Sequence, residues 1–179
     1  QLFNLKASFP TEKDQRAFFK AARGNDIKTL ANIIEKWPDS VTKWESAGDP
    51  VIGEAYRQMN PETLAFLIEK GADINQYGNN KFWNPLSSAA HGGDAASIQE
   101  LLRLGAEIDA KNRCGQTALY WAAHEKKLEC VDLLVLCGAD PGQGFEGSKD
   151  ESVREVIRLA GERRQKFLAD PTSQAKADI

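Results

Sequence analysis

The chain has 179 residues, 27% of them charged and 41% hydrophobic, with a formal net charge of −3. That length suits one soluble domain. The charge balance offers no basic stripe for a nucleic acid, and no apolar run approaches the roughly 20 residues that span a bilayer.

The first residue is Gln1 rather than an initiator methionine. A trimmed N-terminus is therefore expected, either from a signal peptidase or at a chosen boundary. An exported or periplasmic location and a cytoplasmic one both stay open. The polar run Glu12, Lys13, Asp14, Gln15 and Arg16 precedes Phe18-Phe19 and Ala21-Ala22, followed by Leu30 and Ile33-Ile34. This reads as a helix pair with a water-facing outer side. Next come Gly48-Asp49-Pro50-Val51-Ile52, Ala55-Tyr56 and Leu64-Ala65-Phe66-Leu67-Ile68. Asn84-Pro85-Leu86-Ser87 leads into Ala89-Ala90, and Thr117-Ala118-Leu119-Tyr120-Trp121 leads into Ala122-Ala123. Leu128 to Leu134 then forms a second apolar helix, with Val131, Leu133 and Leu134 on its inner side. Thr117 is placed to cap one helix. Pro85 stands at a first helical turn, where its missing N–H costs little. Ser87 and Ser88 also read as caps. Gly142, Gly144 and Gly147 read as a loop, about 150–168 as one capping helix, and 171–179 as a loose tail.

One phrase recurs along this series. Gly71-Ala72-Asp73-Ile74-Asn75 returns as Gly105-Ala106-Glu107-Ile108-Asp109 and as Gly138-Ala139-Asp140-Pro141, in steps of 34 (105 − 71) and 33 (138 − 105). The three glycines fall where a helix-ending left-handed residue is wanted. Leu86 to Leu119 and Ala89 to Ala122 keep the step of 33. Phrase, period and helix pattern together resemble the ankyrin repeat, with Thr117-Ala118-Leu119-Tyr120 in the slot of the family's Thr-Pro-Leu-His. The resemblance implies an all-α ankyrin-repeat solenoid of about four helix-pair repeats with hairpin fingers and a C-terminal capping helix. The expected organisation is a single domain over 1–170, with repeats at about 11–43, 44–76, 77–110 and 111–143.

The family binds partners with its fingers and with positions just after the paired alanines. Carried over by alignment, that implies Trp44, Asp49, Arg57 and Gln58 in the second copy. In the third it implies Tyr77, Lys81, Trp83 and His91. In the fourth it implies Arg113, Gln116, His124 and Glu125, with Trp121 half core and half concave face. The third finger departs from the pattern. Phe82 replaces its loop glycine, and the Asn75-to-Pro85 spacing is 10 against 9 from Asp109 to Ala118. Trp44, Tyr77 and Trp83 are large aromatics where small groups are usual. They are either interface anchors or side chains folded down to hold irregular fingers.

Chemistry is weakly signalled. His91 and His124 are one repeat apart (124 − 91 = 33) and read as exposed polar residues. Glu125 adjoins His124, but adjacent helical residues do not face the same way. Of the three cysteines, Cys130 reads as core and Cys114 as the exposed thiol, and none has metal-ligand spacing. No phosphate loop or nucleophile elbow is present. The expected function is a non-enzymatic protein-binding module acting through its concave face. The sharper form is a stoichiometric inhibitor or immunity-type protein that blocks a partner enzyme such as a hydrolase. The chain is then expected to be a monomer when free, with no cofactor, metal, nucleic acid or membrane. A scaffold or stabiliser of a partner enzyme is the alternative binding role. A metal- or thiol-dependent enzyme using His91, His124 and Cys114 is the alternative of another class.

Overall fold

The computed structural model describes residues 10–58, 60–78 and 83–170. Lys81, with Asn79, Asn80 and Phe82 of the expected third finger, and the expected tail at 171–179 lie outside the described residues. The chain divides into two compact units, Gln1–Asp73 and Ile74–Ile179.

In the first unit, α1 (Glu12–Arg23) opens with a reciprocal cap. The Asp14 N–H donates to Thr11 Oγ1 at 3.2 Å, and the Thr11 N–H donates to Asp14 Oδ2 at 2.8 Å. Its inner face buries Phe18, Phe19, Ala21 and Ala22. α2 (Ile27–Lys36) is capped by Asp26 and packs back on α1. A four-residue helix, α3 (Ser40–Lys43), buries Ser40 and Val41. A minimal hairpin follows, β1 (Glu45–Ser46) and β2 (Asp49–Pro50), antiparallel with Glu45 opposite Pro50. Ala47 (φ 54) and Gly48 (φ 82) make its turn, both left-handed as a type I′ hairpin requires. α4 (Val51–Arg57) and α5 (Pro61–Glu69) complete the unit.

The second unit is three helix pairs. They are α6 (Pro85–Gly92) with α7 (Ala95–Arg103), α8 (Ala118–His124) with α9 (Leu128–Cys137), and α10 (Pro141–Gly147) with α11 (Glu151–Ala169). α8 packs between α6 and α10, and α9 between α7 and α11. The fold is thus mostly helical, as the repeat period leads one to expect. The expected C-terminal capping helix is α11, whereas the expected loop at Gly142, Gly144 and Gly147 is helical and forms α10. Asp140 caps α10 by accepting from the Gly142 N–H at 3.0 Å, and Pro141 pre-sets the first turn. Gly144 and Gly147 are there for closeness. A Cβ on Gly147 would stand 2.3 Å from the Tyr120 carbonyl oxygen, and one on Gly144 would meet Ile157 and Leu119. Ser87 is not a cap either: Asn84 caps α6, accepting from the Ser87 N–H at 2.7 Å, and buried Ser87 Oγ has no partner among the described residues.

Hydrogen bonds explain the recurring phrase. Gly71, Gly105 and Gly138 end their helices at φ 97, 92 and 107. The alanine after each closes the helix, donating its N–H to Leu67, Leu101 and Leu134 respectively, each at 2.9 Å. The phrase's fifth residue ties one copy to the next. Asn75 Oδ1 accepts from the Glu107 N–H at 2.8 Å, and Asp109 accepts from the Asp140 N–H at 3.1 Å. The alanines carry a second frame. The carbonyls of Ala21, Ala55, Ala89 and Ala122 each accept from the residue that opens the next helix, Asp26, Asn60, Asp94 and Lys127. Four copies therefore share one backbone arrangement.

Candidate functional site

The expected binding residues separate by unit. In the first, Trp44 is 8% exposed and stands edge-on to Phe18, ring centroids 5.4 Å apart, with Phe18 in turn against Phe19 at 5.6 Å. The exposed-anchor expectation fails there. Ser40, Val41 and Trp44 lie three and four residues apart, on one face of a helical turn, so the turn that buries the first two carries the tryptophan inward. Arg57 is committed internally to Asp49 and to Glu54, the latter at 2.9 Å. Glu54 is buried and also receives Arg23 at 3.2 Å. The hydrogen bond that Arg57 donates to Asp49 pushes its guanidinium above its ordinary range. Gln58 is exposed at the end of α4.

In the second unit the expected residues converge. Trp83 precedes the cap of α6, His91 lies in the last turn of that helix, Trp121 lies within α8, and His124 and Glu125 end it. Trp83 and Trp121 are half-buried, with ring centroids 4.6 Å apart. His91 stands edge-on to Trp83 at 4.6 Å and near Trp121 at 6.0 Å. His124 lies 5.9 Å from Trp121. The expectation that Glu125 would face away is corrected. Its carboxylate lies 2.9 Å from His124 Nδ1 and 3.7 Å from His91 Nε2. Glu125 is the residue at which α8 stops, so its side chain bends back over the last turn. The His124 hydrogen bond, with a smaller contribution from the charge of His91, holds Glu125 below the usual carboxylate range. Tyr120, passed over as a site residue, joins the cluster, stacked on His124 at 6.1 Å and edge-on to Trp121 at 5.4 Å. Its signal was a tyrosine one period after Ser87.

The fourth finger is built by Asn112. Its Oδ1 accepts from the N–H groups of Cys114 and Gln116, and its Nδ2 donates to Gln116 Oε1, so Gln116 is a finger strut. Arg113 and Lys111 are exposed beside a pocket of about 340 Å³ that Tyr77 and Asn112 also line. Burial, and then the charge of Glu107, push the Tyr77 phenol upward. Cys114 and Cys137 are exposed and Cys130 is buried; burial raises the Cys130 thiol, and partial desolvation raises that of Cys137 despite its exposure. Among the described residues no group of three His, Cys, Asp or Glu is arranged to hold a metal ion. No described helix is long and apolar enough to cross a membrane.

Comparison with known proteins agrees with this geometry. The family model for ankyrin repeats (3 copies) matches residues 52–144. A putative ankyrin repeat-containing protein of Treponema pallidum is 29% identical over 72% of this chain and 40% of its own length. The ankyrin repeat protein nuc-2 of Neurospora crassa is 39% identical over 41% of this chain and 7% of its own. The ankyrin repeat and SOCS box protein 2 of Bos taurus is 29% identical over 61% of this chain and 17% of its own. The chain thus spans less than half the length of these curated relatives. Their shared part is the repeat, a unit whose general use is protein–protein interaction. The stacked helix pairs, the glycine-ended phrase with its copy-to-copy hydrogen bonds and the matching family model place this chain in the ankyrin-repeat family.

Proposed function

We propose that the chain is a non-enzymatic protein-binding module, and that the face formed by Trp83, His91, Tyr120, Trp121, His124 and Glu125 receives a partner protein. The finer reading is a stoichiometric inhibitor that occupies the active site of a partner enzyme, a hydrolase being the class we favour. One observation carries the proposal: two tryptophans 4.6 Å apart are left half-covered beside two histidines and a carboxylate. Amphipathic rings of this kind, rigid and only partly buried, are the side chains that anchor protein interfaces.

The test begins with capture of partners from the source cells on the immobilised chain, followed by titration of the purified partner in a calorimeter. Trp83→Ala should weaken the complex about thirtyfold, equivalent to about 2 kcal/mol, while helical content and melting stay nearly unchanged. A charge change at Glu69, on α5, should do little. If the partner is an enzyme that the module inhibits, its activity should titrate to zero at one equivalent. Undiminished affinity in Trp83→Ala would rule this face out.

A further inference from the structure

The geometry points to a carboxylate-accepting pocket on the fourth finger, which takes an acidic side chain of a protein partner at the Tyr77, Lys111 and Arg113 wall. This rests on the protein-binding reading above and adds the chemistry of what is bound.

Asn112 lines the pocket, but both ends of its amide are used inside the finger. Asn84 Oδ1 is fixed by capping α6, so its Nδ2 is turned to donate to the Tyr77 hydroxyl at 3.3 Å. The Tyr77 oxygen therefore accepts there, and its own proton remains to be donated. Lys111 and Arg113 are exposed and form no ion pair among the described residues. In a chain of net charge −3 that is not for want of acids. Arg16, Arg23, Arg57, Arg103, Arg158 and Arg163 are each paired with a carboxylate of their own chain. Of the acids that precede this finger, Glu107 acts on Tyr77, and Asp109 has its oxygens turned to the Asp140 N–H. Lining the pocket are thus a tyrosine with a proton to donate and two exposed cationic residues, Lys111 and Arg113, a set matched by an anion with paired acceptor oxygens. A protein binder meets that anion as Asp, Glu or a chain terminus.

The probe is N-acetyl-hexaglutamate amide, titrated into the full isotope-labelled chain and followed by amide NMR, with hexaglutamine as the uncharged control. Saturable shifts centred on Tyr77, Lys111 and Arg113 are expected with the first peptide and not with the second. The double variant Lys111→Gln with Arg113→Gln should weaken binding at least about tenfold, and Tyr77→Phe roughly threefold. Lys149→Gln, an exposed cation on the α10–α11 connection, should change nothing. Equal losses in Lys149→Gln would mean diffuse charge attraction and overturn the assignment, as would absence of saturable shifts at the pocket. Tighter binding of a decathymidylate at the same amides would overturn it in favour of a phosphate site. The two proposals fail separately. If the native partner is lost by Trp83→Ala but kept by the double variant, the pocket falls and the aromatic face stands.

Discussion

In the first unit Phe18, Phe19 and Trp44 are buried against one another, whereas in the second Trp83, Tyr120 and Trp121 are half-covered and no aromatic among its described residues is buried. The backbone frame is the same in both, down to the alanine carbonyl that accepts from the residue opening the next helix. The paired alanines are common to both units, since Ala21-Ala22 are buried in the first as Ala89-Ala90 and Ala122-Ala123 are in the second. What the second unit adds is the close approach at the glycines of α10, where a Cβ on Gly147 would meet the Tyr120 backbone and one on Gly144 would meet Leu119 and Ile157. Interiors are close-packed, so a large side chain excluded from such a contact must lie at its edge. One repeat can thus use its aromatics as core and another present them outward, with no change in fold.

Truncating one tryptophan from each unit should have very unequal effects. Trp44→Ala removes a buried ring that props Phe18, and should cost about 3–5 kcal/mol. Trp83→Ala removes a half-covered ring at an edge, and should cost under about 1 kcal/mol. Urea unfolding of the two variants measures both, and similar losses would mean that Trp83 is core as well. The converse test adds volume to the closely packed unit. Gly147→Ala places a methyl where the Tyr120 backbone stands at 2.3 Å, a contact that no side-chain rotation relieves. It should cost about 1–3 kcal/mol by overpacking. Gly53→Ala in the first unit, where a Cβ meets nothing within 4 Å, should be tolerated.

What could be read from the sequence follows the same division. The period, the helix pairs, the Thr117 cap, Pro85 at a first turn and the helix-ending glycines were legible, because each depends on local backbone chemistry that repeats. His91 and His124 are one period apart, 124 − 91 = 33, which puts them at corresponding positions of successive copies; Trp83 and Trp121 are not, since one precedes the cap of α6 and the other lies inside α8. The burial of Trp44 was not legible, because its direction is set by α3, a short helix with no counterpart among the described residues of the other copies. Gly144 and Gly147 were misread for a related reason. A glycine needed for close approach is the same letter as a glycine needed for a loop, and only the Tyr120 backbone distinguishes them. The bend of Glu125 depended on where α8 stops, a boundary that periodicity does not fix.

If the units share a frame and differ only in filling, their caps should behave alike. Asp26 and Asp94 open corresponding second helices, each accepting from a backbone N–H and a hydroxyl three residues on. Those hydrogen bonds, the hydroxyl's first, hold both carboxyls below the usual Asp range. Asp94→Ala should cost about 1 kcal/mol at neutral pH, and Asp26→Ala should act in the same direction. Each carboxyl is lowered in the folded state, so its stabilisation is complete above the unfolded value of about 3.9. It fades as pH falls through the folded one. Urea midpoints collected from pH 7 down to about pH 2 should therefore show the variants converging on the parent in acid. A gap that stays constant would mean that the caps act through packing rather than charge.

The smallest effect expected concerns the finger turns, where the two units differ by a single methyl. Ala47 occupies a left-handed backbone position at φ 54 in the first unit, while Gly115 fills the turn of the fourth finger at φ 77. An L-residue with a Cβ is about 1–2 kcal/mol worse in that region. Glycine offsets part of this by losing more chain entropy on folding, roughly 0.5–1 kcal/mol. Ala47→Gly should then stabilise by about 0.5 kcal/mol, and Gly115→Ala should destabilise by a similar amount. A Cβ on Gly115 would meet nothing within 4 Å, so its change carries no steric contribution and reports the backbone alone. Paired urea midpoints with unchanged slopes would show it. If Ala47→Gly instead lowers the midpoint, the Ala47 methyl packs in the hairpin, and the first unit draws even its finger inward.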